Sequence, residues 1–342
     1  MQFVAFYARI NGSMHLRIAL LSVLVLAASA EAQPPSERIG LIDFYGYGTL
    51  DPAQLRAALP FQEGDVIPSK QVKQDTEKKL MSLTGRTATE ISRMCCLEDG
   101  RSTIFVGLAE PDAPPLRYNP GPASDIKLPK EVHRLFEQLD KFTMAAVKKG
   151  DTGEDDSEGY ALFKNPEARG EQLKIRDWVR ANMATTFRVL ETSRFAEERA
   201  NAAEALGYAE RSPEQIAALV RASFDASDDV RNNAVRALGV LCHLGSEVTK
   251  RIPAARFVPM LHSLTWTDRN KAANLFLLLS QSRNPGVLEV LRDGGLVPLR
   301  EMAQWKDWAH AVAAAVTLAR IAGFPDDQVS PATVPKILQA AR

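Results

Sequence analysis

Nucleophilic, metal and acid–base chemistry needs Cys, His and carboxylate side chains brought close together, and this sequence offers few such groupings. Cys242 and His243 are adjacent. On a helix such neighbours point about 100° apart, a poor chelate. No H-E-x-x-H, Walker A, G-x-S-x-G or C-x-x-C string occurs. DTGEDDSEG, residues 151 to 159, has the acid density of a calcium loop without its spacing or its closing bidentate Glu, and reads as a solvated loop. YGYG, residues 45 to 48, follows an apolar run but lacks the third glycine and the lysine of a phosphate loop, and reads as a turn. Cys95, Cys96 and Cys242 are odd in number and form no disulfide framework. Cys95 and Cys96 would point to opposite faces if both lay on one strand, so all three read as small buried apolar side chains. No catalytic, cofactor or metal residue is assigned. Asp268, Asp307 and His310 are the local candidates if an acid–base site exists.

Polar recognition is the other chemistry the spacing suggests. RANAAEALG at 199 to 207 matches RNNAVRALG at 231 to 239, 32 residues on. DRNKAANLF at 268 to 276 is a looser copy and DWAHAVAAA at 307 to 315 a degenerate one, at further offsets of 38 and 39. Arg199, Arg231 and Arg269 share one slot, Trp308 fills it in the fourth copy, and Asn233 corresponds to Asn201 and Lys271. On a helical wheel Val230, Ala234, Ala237, Leu238 and Leu241 make one apolar stripe. Asn232 lies opposite it, with Arg231 and Asn233 on its flanks. An asparagine costs up to about 0.7 kcal/mol relative to alanine inside a helix, so the pair belongs on polar flanks. Two readings follow. The flanks form an Arg/Asn ladder bonding loop carbonyls and acids such as Asp229 and Asp268. Alternatively, Arg199, Arg231, Asn233, Arg269 and Trp308 line a concave strip that contacts a protein partner, since Arg and Trp are frequent binding hot spots. Trp266, Trp305 and Trp308 carry the same choice between surface contact and core packing.

These residues need helices to position them. Partner helices lie between the copies: SPEQIAALVRASF, ARFVPMLHSLTW, and a split pair around LEVLR and LVPLREMAQ. Ser212-Pro213-Glu214-Gln215 is a capping box, and Thr267 or Asp268 should cap the helix after Trp266. Recurring helix pairs of this length mean an α-solenoid. At the acid, Arg and Ala-x-x-Ala-Leu-Gly positions the copies resemble HEAT repeats, closest over 196 to 241, looser over 256 to 281 and faint beyond 284. The resemblance implies an extended concave surface for a large partner. It leaves room for an enzyme with an unrecognised site, because HEAT-like folds also include lyases and glycosylases.

The N-terminal part has a different rhythm. RIGLIDF at 38 to 44 reads as a strand, Asp51-Pro52 starts a helix, and a second helix runs from near Ser69 to Gly85. ATEISRMCCLED and RSTIFVGLAE flank Asp99-Gly100, a hairpin signal. With Gly46 or Gly48 after the first strand, EGD at 63 to 65 and Glu110-Pro111 at the end, this βααββ order resembles a POTRA domain over residues 36 to 112. The resemblance implies partner binding by strand addition at a sheet edge. Family members usually precede a β-barrel or follow a membrane anchor, and here a helical region follows instead. Residues 111 to 127 hold five prolines and read as a semi-stiff linker. Pro129 opens an amphipathic helix closed by Gly150.

Bulk properties set the class. Hydrophobic residues make up 45% of 342, enough for a packed core, and the formal net charge is zero, which lacks the electrostatic footprint of a nucleic-acid binder. Residues 18 to 28 form an apolar run of signal length, with small-residue cleavage sites after Ala30 or Ala32 and a plausible start at Met14. The expected layout is a signal peptide at 1 to 32, a POTRA-like α+β domain at 36 to 112, a linker at 113 to 127 and a HEAT-like solenoid at 128 to 342. The fold class is mainly α. The expected protein is an exported, periplasmic, non-catalytic scaffold for protein partners, without cofactor, and not an integral membrane protein once the signal is removed. Its alternatives are an accessory factor in outer-membrane protein assembly or secretion, and a HEAT-fold enzyme.

Overall fold

The computed structural model describes residues 37 to 151 and 153 to 341; the expected signal segment lies outside the described residues. Local signals set the first elements. β1 (Ile39–Tyr45) leads to α1 (Pro52–Ala58), where the Asp51 side chain accepts from the Ala53 N–H and Pro52 opens the first turn. α2 (Lys70–Thr84) starts at Ser69, whose hydroxyl accepts from the Val72 N–H, and stops at Gly85 in the left-handed region, φ 69°. β2 (Thr89–Cys95) and β3 (Ser102–Leu108) pair antiparallel, β1 pairs with β3 in parallel, and the order is β1-β3-β2.

Strand alternation gives this sheet two working faces. Ile42, Phe44, Ile91, Ile104 and Val106 close a small core with Leu55, Ala58 and Leu80 of α1 and α2. Tyr45, Met94 and Phe105 face the other way and belong to the main core of the helical part. The expected pair of modules joined by a spacer is therefore corrected: the sheet is sandwiched between its own helices and the helical stack.

Helices continue from there. α3 (Lys130–Lys148) is followed by a short hairpin, β4 (Glu154–Asp155) and β5 (Leu162–Phe163), then α4 (Pro166–Ala181) and α5 (Met183–Thr192). Next come α6 (Ala196–Gly207), α7 (Pro213–Ala222), α8 (Asp228–Cys242), α9 (Ser246–Thr249), α10 (Ala254–Leu261) and α11 (Trp266–Leu279). α12 (Pro285–Gly294), α13 (Leu296–Met302), α14 (Trp308–Ile321) and α15 (Val334–Ala340) complete the chain. α6, α8, α11 and α14, which carry the four sequence copies, stack in that order, with α7, α10 and α13 as partners. The stripe residues Ala202, Ala234, Ala272 and their i+3/i+4 neighbours Leu206, Leu238 and Phe276 are all fully buried. The fold is an α-solenoid of helix pairs preceded by a small α+β unit. No helix among the described residues is long and apolar enough to cross a membrane.

Several local expectations need correction. α11 is capped by Thr265 and begins at Trp266, so Thr267 and Asp268 lie inside its first turn. Ser212 accepts from the Gln215 N–H, but the Gln215 side chain donates to the Leu206 carbonyl at 2.5 Å instead of returning to the cap. Cys95 ends β2 and Cys96 lies just beyond it, so the opposite-face argument does not apply; the two form a vicinal disulfide. Cys242 is a free, buried thiol, and burial pushes its pKa up to about 12.

Candidate interaction site

Arg199, Arg231 and Arg269 each occupy the fourth position of their helix. Each reaches back six residues to a turn carbonyl: Arg199 Nη1 to Ser193 at 2.9 Å, Arg231 Nη1 to Asp225 at 2.9 Å, Arg269 Nε to Ser263 at 2.6 Å. Each also grips an acid. Arg199 makes two 2.7 Å bonds to Asp225, and Arg231 holds Asp268 at 2.8 and 3.0 Å. Such forked pairs are strong and directional. Burial pushes the Asp268 carboxyl up, against the pull of Arg231 and the Ser263 hydroxyl. Asn233 is half-buried and donates to the Ala200 carbonyl of α6 at 3.0 Å, stitching adjacent repeats. Trp308 is half-buried and packs against the main core; α14 starts at Trp308 itself, so this copy lacks the turn that precedes the arginine elsewhere. The exposed-strip reading is thus corrected for the arginines. Their side chains are 5%, 3% and 0% exposed, too little to meet a partner, and they form the ladder of the other reading.

What covers the ladder is the chain itself. Glu110 accepts from Arg269 Nη2 and bonds His262 Nδ1 at 2.6 Å, while His262 Nε2 meets the Gly294 carbonyl at 2.7 Å. Further on, Tyr118 lies under Arg231, 4.5 Å from ring centre to guanidinium carbon. The Asn119 N–H donates to the Phe224 carbonyl at 2.7 Å, and the Ser124 N–H to Thr192 at 2.9 Å. The Leu128 N–H donates to Glu198 at 2.9 Å. The proline-rich segment is therefore no free spacer. It is a strap that crosses the repeat turns in reverse order, from α11 down to α6.

The sheet docks beyond the strap on the last turns. Asp43 accepts from the Lys306 and Asp307 N–H groups at 2.9 and 3.0 Å, and Asp307 accepts from the Thr103 hydroxyl at 2.7 Å. The Trp305 indole donates to the Phe44 carbonyl at 2.8 Å. Phe105 sits between Trp266 and Trp305, with centroids 5.0 and 4.8 Å away. Tyr45 lies across Gly107, where a Cβ would fall 2.3 Å from the ring, and its hydroxyl donates to the Leu264 carbonyl at 2.7 Å. YGYG does cradle an anion, although not a phosphate. The Gly46 and Gly48 N–H groups donate to the Glu301 carboxylate at 2.6 and 2.7 Å. Gly46 has φ 69°, and a Cβ there would fall 1.9 Å from the Leu108 carbonyl oxygen, so only glycine fits. Burial pushes Glu301 up, opposed by Arg269 and these two N–H groups.

The acid–base candidates do not converge. Asp268 is committed to Arg231 and Ser263, Asp307 to Thr103, and His310 Nε2 stands 3.9 Å from Asp307. The acidic loop is spread over basic partners: Glu154 on Arg236, Asp155 on Arg169, Asp156 on His243. Among the described residues no group of three or more His, Cys, Asp or Glu is arranged to hold a metal ion.

One polar edge remains open. The outer side of β1 is covered by residues 63 to 67, with Ile39 and Gly64 N–H groups bonding Asp65 and Ile39 carbonyls at 2.8 Å. β2 is the opposite edge. Its even-numbered N–H groups pair with β3, which leaves Ile91, Arg93 and Cys95 pointing outward. Glu77 accepts from Ile91 at 3.0 Å. The stretch at Arg93 and Cys95 borders a groove of about 1170 Å³, walled opposite by Met144, Val147, Lys148 and Lys149 of α3 and its end. Sequence reasoning marked the hairpin but not the groove, because the far wall comes from a helix beyond the strap.

No family model matches the chain, and a comparison with curated proteins found no match. Two solved structures are similar over about three-fifths of the chain. One, an engineered protein from a structural genomics consortium, is 21% identical over 62% of this chain and 94% of its own, with a TM-score of 0.39. The other, of computationally designed armadillo repeat proteins for modular peptide recognition, is 16% identical over 61% of this chain and 98% of its own, also at 0.39. Likenesses this distant carry no weight for function; the solenoid rests on the helix pairs themselves.

Proposed function

We propose that the protein is an exported, non-catalytic scaffold that takes an extended polypeptide along the free edge of β2. The observation that carries this reading is the groove beside Arg93 and Cys95, where outward N–H groups meet walls of apolar, basic and acidic side chains. An extended chain entering it would gain main-chain hydrogen bonds from the edge, and its alternate side chains would face Met94, Met144 and Val147. The apolar run at 18 to 28 supports export. The buried arginines move the binding surface from the solenoid flank to the sheet edge. HEAT-type repeats and a POTRA-like unit belong to this reading. Assistance to outer-membrane protein assembly or secretion is a narrower version, supported by the βααββ element order.

Peptides selected from a random display library against the whole chain test it. Calorimetry should show binding to wild type and a loss of at least about tenfold in Arg93→Pro, which removes one edge N–H and blocks strand addition. Equal affinity for both, with unchanged circular dichroism, would rule out the edge.

A further inference from the structure

Away from that groove, the stacked helices line a pocket of about 70 Å³ that opens to solvent at its rim. That is room for roughly five waters, or for a small organic molecule. Its floor and walls come from α8, α11 and α14, and Glu154 and Asp156 of the β4–β5 hairpin roof it. Depth orders its side chains. The rim consists of the Glu154–Arg236 ion pair and a 3.2 Å contact of His243 Nε2 with Asp156, whose side chains are 17 to 39% exposed. Lys271 and His310 lie deeper, with Lys271 8% exposed and the His310 side chain 10%. Val235, Val240, Leu275 and Leu278 make the apolar walls.

We propose that this cavity is a reversible covalent site in which Lys271 Nζ forms an imine with a short aliphatic aldehyde and His310 relays the proton. Burial, aided by the Arg236 charge and opposed by Glu154, pushes the Lys271 ammonium down to about 8. At neutral pH the fraction of free amine is then more than about a hundred times that of an ordinary lysine. Burial also lowers His310, with Asp307 opposing and Lys271 assisting, so its imidazole is available as a base. The amine attacks the carbonyl carbon, and the neutral imidazole takes the proton that the nitrogen must shed. The imidazole passes that proton to the alkoxide, giving the neutral carbinolamine. The hydroxyl then takes a second proton from the imidazole side as the C–O bond breaks and water leaves, and the iminium N–H is shed to restore it. Aldehyde and amine thus give imine and water with no other reactant. Arg236 is already paired with Glu154, Asp156 adds a second carboxylate at the rim, and the walls are apolar. A neutral aliphatic tail therefore fits better than a carboxylate.

The test is reductive trapping on the full chain, using propanal with sodium cyanoborohydride and peptide mass mapping. One propyl group should appear at Lys271, at least about tenfold faster than at the exposed Lys174 and Lys250, and should saturate with propanal. The rate should level off above a pH of about 8. His310→Gln should slow trapping at least about tenfold, and Lys271→Arg should leave only slow surface labelling. Pyruvate should trap no faster at Lys271 than at the surface. Labelling spread over exposed lysines, or Lys271 labelling that never saturates, would overturn the site. Saturable trapping by pyruvate alone would overturn the ligand class.

Discussion

Glu110 ties three segments together: the end of the sheet, the Arg269 rung and, through His262, the end of α10. Burial alone would raise its carboxyl; the hydrogen bond from His262 and the Arg269 charge outweigh burial and hold it below its ordinary 4.5. A lowered folded value means stability that is complete above the unfolded pKa and lost as pH falls through the folded one. Glu110→Gln should therefore cost about 3 kcal/mol of unfolding free energy near neutral pH, leaving the buried Arg269 with only its 3.7 Å contact to Glu301. Urea titrations should show the gap to wild type closing as pH drops below about 4.5. A gap that holds constant to about pH 3 would assign the loss to shape instead of charge. At this scale the sequence revealed pattern but not environment. The repeated arginine slot was legible from its spacing. Its burial was not, because a helical wheel shows a flank and not the strap laid over it. The two glycines of YGYG read as a turn, and their anion, Glu301, lies 255 residues from Gly46.

Short-range chemistry made several elements readable, as with the Asp51 and Ser69 caps, the Gly85 stop and the Asp99-Gly100 hairpin, where partner atoms lie within a few residues. The strap was not readable as docked. Proline content predicts stiffness, and only the turns of α6 to α11 decide where a stiff segment rests. Its hold combines backbone bonds at Asn119 and Ser124 with the Tyr118–Arg231 contact. A cation–π contact with the ring exposed and the guanidinium buried is worth about 0.5–2 kcal/mol. Tyr118→Ala should raise hydrogen exchange at the Asn119 amide about threefold or more, with α8 amides unchanged. Unaltered exchange at Asn119 would show that the backbone bonds hold the strap unaided.

At the scale of the whole molecule, the sheet and the solenoid share a core through Tyr45, Met94 and Phe105. They should therefore melt together. Tryptophan fluorescence, which samples the junction through Trp266 and Trp305, and far-ultraviolet circular dichroism should give one coincident urea transition. An earlier fluorescence change would mean that the sheet undocks before the helices unfold. The solenoid itself was legible because its period repeats. Its closure by the sheet was not, since Asp43, Thr103 and Trp305 meet across distances that no periodicity marks. That reverse-order lie also sets a timetable. The sheet is made first and its seat last: 204 residues separate Thr103 from Asp307. At 5–20 residues per second, that is roughly 10–40 s of synthesis. Until Trp266 emerges Phe105 has no aromatic partner, the seat stays incomplete until Trp305 follows, and the β2 edge stands without its α3 wall until that helix has emerged. The nascent chain, more than the finished one, is the form that a chaperone would have to guard.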